Sequence, residues 1–393
     1  MTGIGQNSIR NKRVNRALVL DMLLRKGPLP RRELAVLTRL TPATITKITA
    51  ELIAEGLVRE IGVWNGRATK VGRKFIALDL VPDAVVVGAL HIRCDMVETG
   101  LVDLKGRLLT RRSAPLPEQL DGAGLVDLAV KELDLAVAGR GGRRMAAIGV
   151  AAVGLVDFSD GAVISAPQRP DWRGLRLAGE LYKRLSLPTF VENNVRCMAL
   201  AERMFGSLNA EANSMCVYIG NGIGSGLIIR DQLYQGGLAG GEFGHMTYLP
   251  HGLPCWCGNE GCLEQYAAEP ALLRVLGAGS VDDVLRLARQ GDQDVVDKLR
   301  VAGERIGTVL ASFINMFYVP RIVVAGSFAD NDLPLVKEVQ DVVNRLSFLA
   351  RRQGVTVTGS RLGEDIGLLG AASLALWHHV FEADFQLEDE PAR

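Results

Sequence analysis

The spacing of apolar positions changes near residue 80. Before that point they recur at helical intervals. "RVNRALVLDMLLRKG" sets Ala17, Leu20 and Leu24 at i, i+3 and i+7, which predicts a helix with one buried face, ended by Gly27 and Pro28. "PRRELAVLTRL" predicts a shorter second helix with Leu34 and Leu37 turned inward. "TPATITKITAELIAEG" predicts a third: Thr41 suits the N-cap, Pro42 the first helical position, and Gly56 the stop. Its buried stripe is Ile45, Ile48 and Leu52. "LVREIGVWNGRATKVGRKFIAL" then predicts two strands joined by a basic turn. This order of helices and paired strands is that of a winged helix-turn-helix, expected over residues 1–80.

From about residue 82 the pattern becomes short apolar runs alternating with amphipathic stretches. "AVVVGALHI", "TGLVDL", "AAIGVAAVGLV", "MCVYIG", "SGLIIR" and "RIVVAG" predict buried strands, several covered on both faces. Gly124–Val137 and Val301–Phe317 predict helices between them. The expectation is an α/β body. The glycine-rich turns "GNGIGSG" and "AGS" suit close backbone approach to a ligand, and tight strand connections explain them equally well.

Charge sharpens the reading of the first segment. Residues 1–80 hold 15 Lys/Arg against 6 Asp/Glu, a balance of +9, whereas the remainder holds 30 against 38, a balance of −8. A basic head on an acidic body points to a polyanion, here a double-stranded DNA operator. A three-helix bundle used for dimerisation has the same helix order, but it needs neither the charge nor the strands. In a helix-turn-helix the N-terminal residues of the last helix reach base edges. The expected contacts are therefore Pro42, Ala43, Thr44, Thr46 and Lys47. Arg67 lies in the basic turn, and Arg73 and Lys74 follow Gly72, where a guanidinium could enter a narrow minor groove.

The start of the chain shows no basic-then-apolar signal pattern, and no apolar run is long enough for a bilayer, so no membrane partner and a cytoplasmic protein with reduced thiols are expected. That argues against a disulfide in one stretch, "CWCGNEGCLEQ". Cys255, Cys257 and Cys262 bring three of the chain's six cysteines within eight residues, with Gly258 and Gly261 letting the loop fold tightly. Three thiolates need a fourth ligand to complete a tetrahedral zinc shell. His245 stands ten residues before Cys255, and His251 is nearer and a rival. A Cys3His shell leaves no open position for an activated water, so the expected zinc, one per chain, is structural. Glu242 and Glu264 flank the loop, and carboxylates held in this way suit sugar hydroxyls, unless either merely caps a neighbouring helix.

"GGEFGHMTYLPHGLPCWCGNEGCLEQYAA" closely resembles the signature of the ROK family (repressors, open reading frames and sugar kinases). "GVAAVGLVDFSDGAVISAP", "LPTFVENN", "VYIGNGIGSGLII", "IVVAGS" and "GEDIGLLGAASLAL" follow in the family's order, and the first eighty residues resemble the head of its transcriptional repressors. The resemblance implies a two-lobed, actin-like sugar-kinase fold. The lobes are expected at residues 81–197 with 366–393, and at 198–365 with the zinc loop. It implies zinc on His245, Cys255, Cys257 and Cys262, choosing His245 over His251. It also implies that Asn193, Glu242, His245 and Glu264 face a sugar in the cleft, His245 with one ring nitrogen on zinc and the other towards the ligand.

Three departures separate this chain from the kinases that it resembles. Their phosphate turn, of Asp-x-Gly-Gly-Thr type, is replaced by "HIRCDM": His91 stands for the aspartate, Arg93 and Cys94 for the glycines, and Asp95, which adds a negative charge, for the threonine. ATP is not expected to bind there. Their final Asp of Val-Glu-Asn-Asp, the base, is here Asn194, which can share hydrogen bonds with a sugar but cannot take its proton. Gln168 replaces an Asn common among relatives that helps to shape the sugar pocket. The expectation is a non-enzymatic, sugar-responsive repressor of carbohydrate uptake or catabolism genes, a homodimer or homotetramer. A regulator controlled by a protein partner is the alternative, and an ATP-dependent sugar kinase the least favoured.

Overall fold

The computed structural model describes residues 8–63, 75–139, 144–209, 211–237 and 240–381. Three helices open the chain, α1 (Ser8–Lys26), α2 (Arg31–Thr38) and α3 (Pro42–Ala54). With them are strands β1 (Leu29–Pro30), β2 (Val58–Val63) and β3 (Ile76–Leu80), in the antiparallel order β1-β3-β2. Thr41 caps α3: its hydroxyl accepts the Thr44 N–H at 3.2 Å, and Pro42 follows where a missing N–H costs nothing. Ile45, Ile48 and Leu52 are buried as expected. The other two helices differ from the expectation. α1 buries Val19, Leu20 and Leu23, leaving Ala17 and Leu24 only half-buried, and Leu37 of α2 is 44% exposed. α2 has only eight residues, and Leu34 alone among them is fully buried. α1 packs on α2, α3 and β3 together, and these neighbours determine which of its residues are covered. Lys12–Glu51 at 3.0 Å and Arg16–Glu55 at 2.6 Å tie α1 to α3.

A five-stranded sheet follows, ordered β10-β7-β4-β5-β6, from β4 (Val86–Ile92), β5 (Met96–Asp103), β6 (Leu108–Pro115), β7 (Ile148–Ala152) and β10 (Thr189–Asn193). The short strands β8 (Leu155–Asp157) and β9 (Ala162–Ser165) and the helices α4 (Gly122–Ala138) and α5 (Leu177–Leu185) accompany it. Every residue of β4 is buried, as its unbroken apolar run requires. β6 was not expected. It is an edge strand whose outer positions are polar, and Arg111 and Arg112 reach back to Glu98 and Glu132 at 2.9 and 2.8 Å. No apolar run marks such an edge.

The second five-stranded sheet has the order β13-β12-β11-β14-β15. It comprises β11 (Ser214–Ile219), β12 (Ile223–Ile229), β13 (Gln232–Leu233), β14 (Arg321–Gly326) and β15 (Thr356–Gly359). β11 pairs antiparallel with β12 and parallel with β14. Helix α6 (Asn194–Met204) packs on β11 and β12 with Val195 to Met204 all buried. The glycines of "GNGIGSG" make this possible: a Cβ at Gly226 would come 2.5 Å from that of Ala199, and one at Gly224 2.9 Å from the Val195 side chain. The remaining helices are α7 (Glu264–Ala267), α8 (Glu269–Leu276), α9 (Val281–Arg289), α10 (Gln293–Met316), α11 (Pro334–Leu346), α12 (Phe348–Gln353) and α13 (Ile366–Leu376). α10 begins eight residues before the expected Val301, because Asp292 caps it by accepting the Val295 N–H at 3.2 Å.

The chain divides into two compact units. One comprises Met1–Gly154, Phe158–Glu192 and Ala371–Arg393, and the other Leu155–Asp157 and Asn193–Gly370. The divisions thus fall at Asn193 and after Gly370, where 198 and 366 were expected, and the first unit includes the helix-turn-helix. Among the described residues no helix is long and apolar enough to cross a membrane.

Candidate functional site

The cysteine loop is built from short backbone ladders. Thr247 bridges to Cys262, Pro254 bridges to Glu260, and the Cys255 N–H donates to the Asn259 carbonyl at 2.8 Å. Gly261, at φ 75°, passes so close to Leu249 that a Cβ would lie 1.7 Å from its carbonyl oxygen. The folding brings His245, Cys255, Cys257 and Cys262 together, with their ligand atoms all within 4.8 Å of one another. This group can hold a metal ion. His251 is exposed and outside it. His245 Nδ1 lies 3.6 Å from the Cys255 sulfur, and Cys257 and Cys262 sulfurs are 3.7 Å apart. Gln265 and Asn259 amides approach Cys255 and Cys262 at 3.7 and 3.5 Å. Burial, then the neighbouring thiols of Cys257 and Cys255, push the Cys262 thiol up to about 12. The Asn259 backbone N–H instead lowers the exposed Cys257 thiol. Sulfurs packed this closely repel as anions, and a bound cation removes that repulsion.

The other ring nitrogen of His245, Nε2, points at Glu242 across 3.8 Å. The loop therefore orients an imidazole with one nitrogen facing a cysteine sulfur and the other a carboxylate. Desolvation raises the Glu242 carboxyl above the ordinary range; Glu264 adds to the rise, and His245 and Arg196 oppose it. Neither glutamate caps a helix. Glu242 precedes a single turn without a side-chain cap, and Glu264 heads α7 but accepts the Trp256 indole N–H at 2.8 Å and the Ile223 N–H at 3.0 Å. Gly222 permits the second bond, since a Cβ there would sit 2.5 Å from Glu264 Oε2.

Asn193 and Asn194 stand at the N-terminus of α6, whose first turn packs on Gly224 of β12. The Asn193 oxygen has a second role that the sequence did not suggest: it caps α6, accepting the Val195 and Arg196 N–H groups at 2.9 and 3.2 Å. Asn194 Oδ1 also accepts from Val195, at 3.0 Å. Sequence reasoning missed two residues here, Trp256 and Arg196. Trp256 was in view inside "CWC" as a spacer only. Arg196 is buried, and its guanidinium binds the carbonyls of Gln235 and Val156. Its electrostatic reach to Glu242 had no signal in the sequence.

The turn that replaces the phosphate loop lies in the other unit. It is a tight hairpin closed by the Arg93 N–H on the Met96 carbonyl at 2.9 Å. The expectation that Asp95 presents a free negative charge is corrected: Arg93 forks both carboxylate oxygens, at 3.1 and 3.2 Å. The pair fills space without net charge. Arg169 grips the turn from behind, donating to the carbonyls of Cys94, Pro117 and Glu118 at 2.5–2.8 Å. His91 is buried and binds Glu98 at 2.9 Å.

On α3, Pro42, Ala43, Thr46 and Lys47 are exposed and Thr44 is half-buried. The hydroxyls are already engaged: Thr44 with Thr41 at 2.9 Å, and Thr46 with the Pro42 carbonyl at 2.8 Å. Arg67, Arg73 and Lys74 lie outside the described residues.

The ROK family profile matches residues 87–378. The chain belongs to the ROK family. This ROK protein is 30% identical over 388 residues to the DNA-binding transcriptional dual regulator NagC of Escherichia coli K12, covering 92% of this chain and 93% of that one. It is 28% identical to the xylose repressor of Bacillus subtilis 168, covering 94% and 96%. Among solved structures it resembles a ROK family transcriptional regulator homologous to the Escherichia coli Mlc protein. The TM-score is 0.77 at 27% identity, over 93% of this chain and 95% of that one. These likenesses extend through the N-terminal head as well as the body.

Proposed function

We propose that this ROK protein is a transcriptional repressor of carbohydrate uptake or catabolism genes, controlled by a sugar that its body binds and does not phosphorylate. The observation that carries this reading is a capped helix whose exposed N-terminal face carries Lys47, set in a chain that matches repressors over 92–94% of its length. Pro42 to Lys47 would meet operator DNA, with Lys47 the side chain best placed for phosphate. Arg67, Arg73 and Lys74 are proposed as further contacts on the basis of charge alone. Asn193, Asn194, Glu242, His245 and Glu264 would bind the sugar. The half-exposed carboxylates accept hydroxyls, and the asparagine amides donate.

His245, Cys255, Cys257 and Cys262 would hold one structural zinc per chain. Sulfur and imidazole donors suit zinc, and four protein ligands exclude a reactive water. Zinc bound there supplies folding free energy to the loop that carries Glu242 and Glu264. Two features argue against phosphoryl transfer. Asn194 cannot act as a base, and the Arg93–Asp95 pair with Arg169 behind it fills the turn that a kinase opens to nucleotide. A homodimer or homotetramer follows from the need to read two half-sites. Control by a protein partner is the second reading, favoured only if the sugar site fails.

The test is a thermal-shift screen of sugars and sugar phosphates, followed by operator binding with and without each hit. A sugar that stabilises the protein and changes operator affinity is expected. A complete lack of sugar binding, with DNA binding intact, would favour the protein-partner reading.

A further inference from the structure

Trp256 is the residue between the first two cysteines, and 61% of it is exposed. A tryptophan so placed is not explained by packing. Its indole N–H donates to Glu264 Oε1 at 2.8 Å, and its ring stands edge-on to His245, centroids 4.7 Å apart at 83°. The other oxygen of Glu264 is committed to the Ile223 backbone N–H, an approach that Gly222 alone permits. On the proposed reading Oε1 is the oxygen left for a ligand hydroxyl, and the indole N–H already holds one of its acceptor positions.

We propose that Trp256 gates the sugar site: its N–H competes with a sugar hydroxyl for Glu264 Oε1, and binding requires the indole to swing away. This rests on the reading that Glu264 faces a sugar. The device is cheap to operate. Cys255 and Cys257 on either side belong to the group that can hold a metal ion, so only side-chain torsions need change, on a picosecond-to-nanosecond scale. Indole is a donor and never an acceptor, so it mimics only the hydroxyl's donating role. A hydrogen bond to a carboxylate is among the stronger kinds, so the competition is measurable.

The experiment screens D-glucose, D-xylose and N-acetyl-D-glucosamine by thermal shift. The strongest binder is then titrated calorimetrically into the wild type, Trp256→Phe and Glu242→Ala, with metal content measured for each. Trp256→Phe keeps an aromatic ring but removes the donor, and it should bind on the order of tenfold more tightly. Saturation should also change tryptophan emission in the wild type and not in Trp256→Phe. Equal or weaker binding by Trp256→Phe, with binding lost in Glu242→Ala, overturns the gate and leaves the sugar site standing. Loss of metal from both Trp256→Phe and Trp256→Leu would make the indole a structural tie and overturn the gate. If no sugar of the panel binds the wild type, the site reading falls for these sugars, and the gate with it.

Discussion

Burial keeps the Cys262 thiol protonated, up to about 12, because a thiolate there has lost water and faces two more sulfurs. A divalent cation bound there would reverse that balance and act as a folding ligand, as proposed for zinc. Cys257→Ser should therefore lose zinc by elemental analysis and lower the thermal midpoint of the body; full zinc content would dissolve the site. Glu98 shows the opposite case. Burial alone would raise its carboxyl, but hydrogen bonds and charges from His91 and Arg111 outweigh it and hold the group at about 2, against 4.5 ordinarily. A depressed carboxyl stabilises the fold above the unfolded value and loses that contribution as pH falls through the folded one. The wild type should accordingly lose on the order of 3 kcal/mol between about pH 4.5 and 2. Glu98→Gln should show a flatter acid limb in urea titrations, and a limb as steep as the wild type's would exclude this network as its source.

At the scale of the element, α3 combines a buried structural face with the exposed face proposed for operator contact. The hydroxyls of Thr44 and Thr46 are turned to the helix's own cap and backbone, which leaves Lys47 as the exposed charged group of the first two turns. Lys47→Ala should weaken operator binding and flatten the slope of log K against log salt by about one unit. A parallel loss at every salt concentration would mean that Lys47 does not neutralise a phosphate. On α1 the expected repeat differs by a few residues, because α2, α3 and β3 all pack on it. A period says that a helix has an apolar face, whereas the elements packed on it decide which residues of that face are covered.

For the whole molecule, the residues proposed for ligand control and for DNA affinity are different, so the two properties should separate by mutation. Glu242→Ala should lose roughly 1–3 kcal/mol of sugar binding. It should also abolish the sugar's effect on operator affinity, with affinity in the absence of sugar unchanged. Neither the wild type nor Asn194→Asp should consume ATP in the presence of sugar, since restoring a base leaves the Arg93–Asp95 hairpin closed. Sugar-dependent ATP turnover by the wild type would overturn the regulator reading of the body.

The sequence by itself determined the winged helix-turn-helix, the alternating α/β body and the crowding of cysteines, because each rests on local spacing: helical period, continuous apolar runs, or thiols within one loop. The family signature added residue roles that spacing could not. Only the tertiary structure decided the rest. It brought His245, the histidine that the resemblance implied, to the three cysteines and left His251 outside the group. It neutralised Asp95 through Arg93, committed the Asn193 oxygen to a helix cap, and brought the Trp256 indole onto Glu264. It also revealed β6, whose edge position needs no apolar run. Charge pairing, capping and edge pairing depend on where chain-distant groups come to rest, and burial strengthens them, so a linear pattern carries little trace of them.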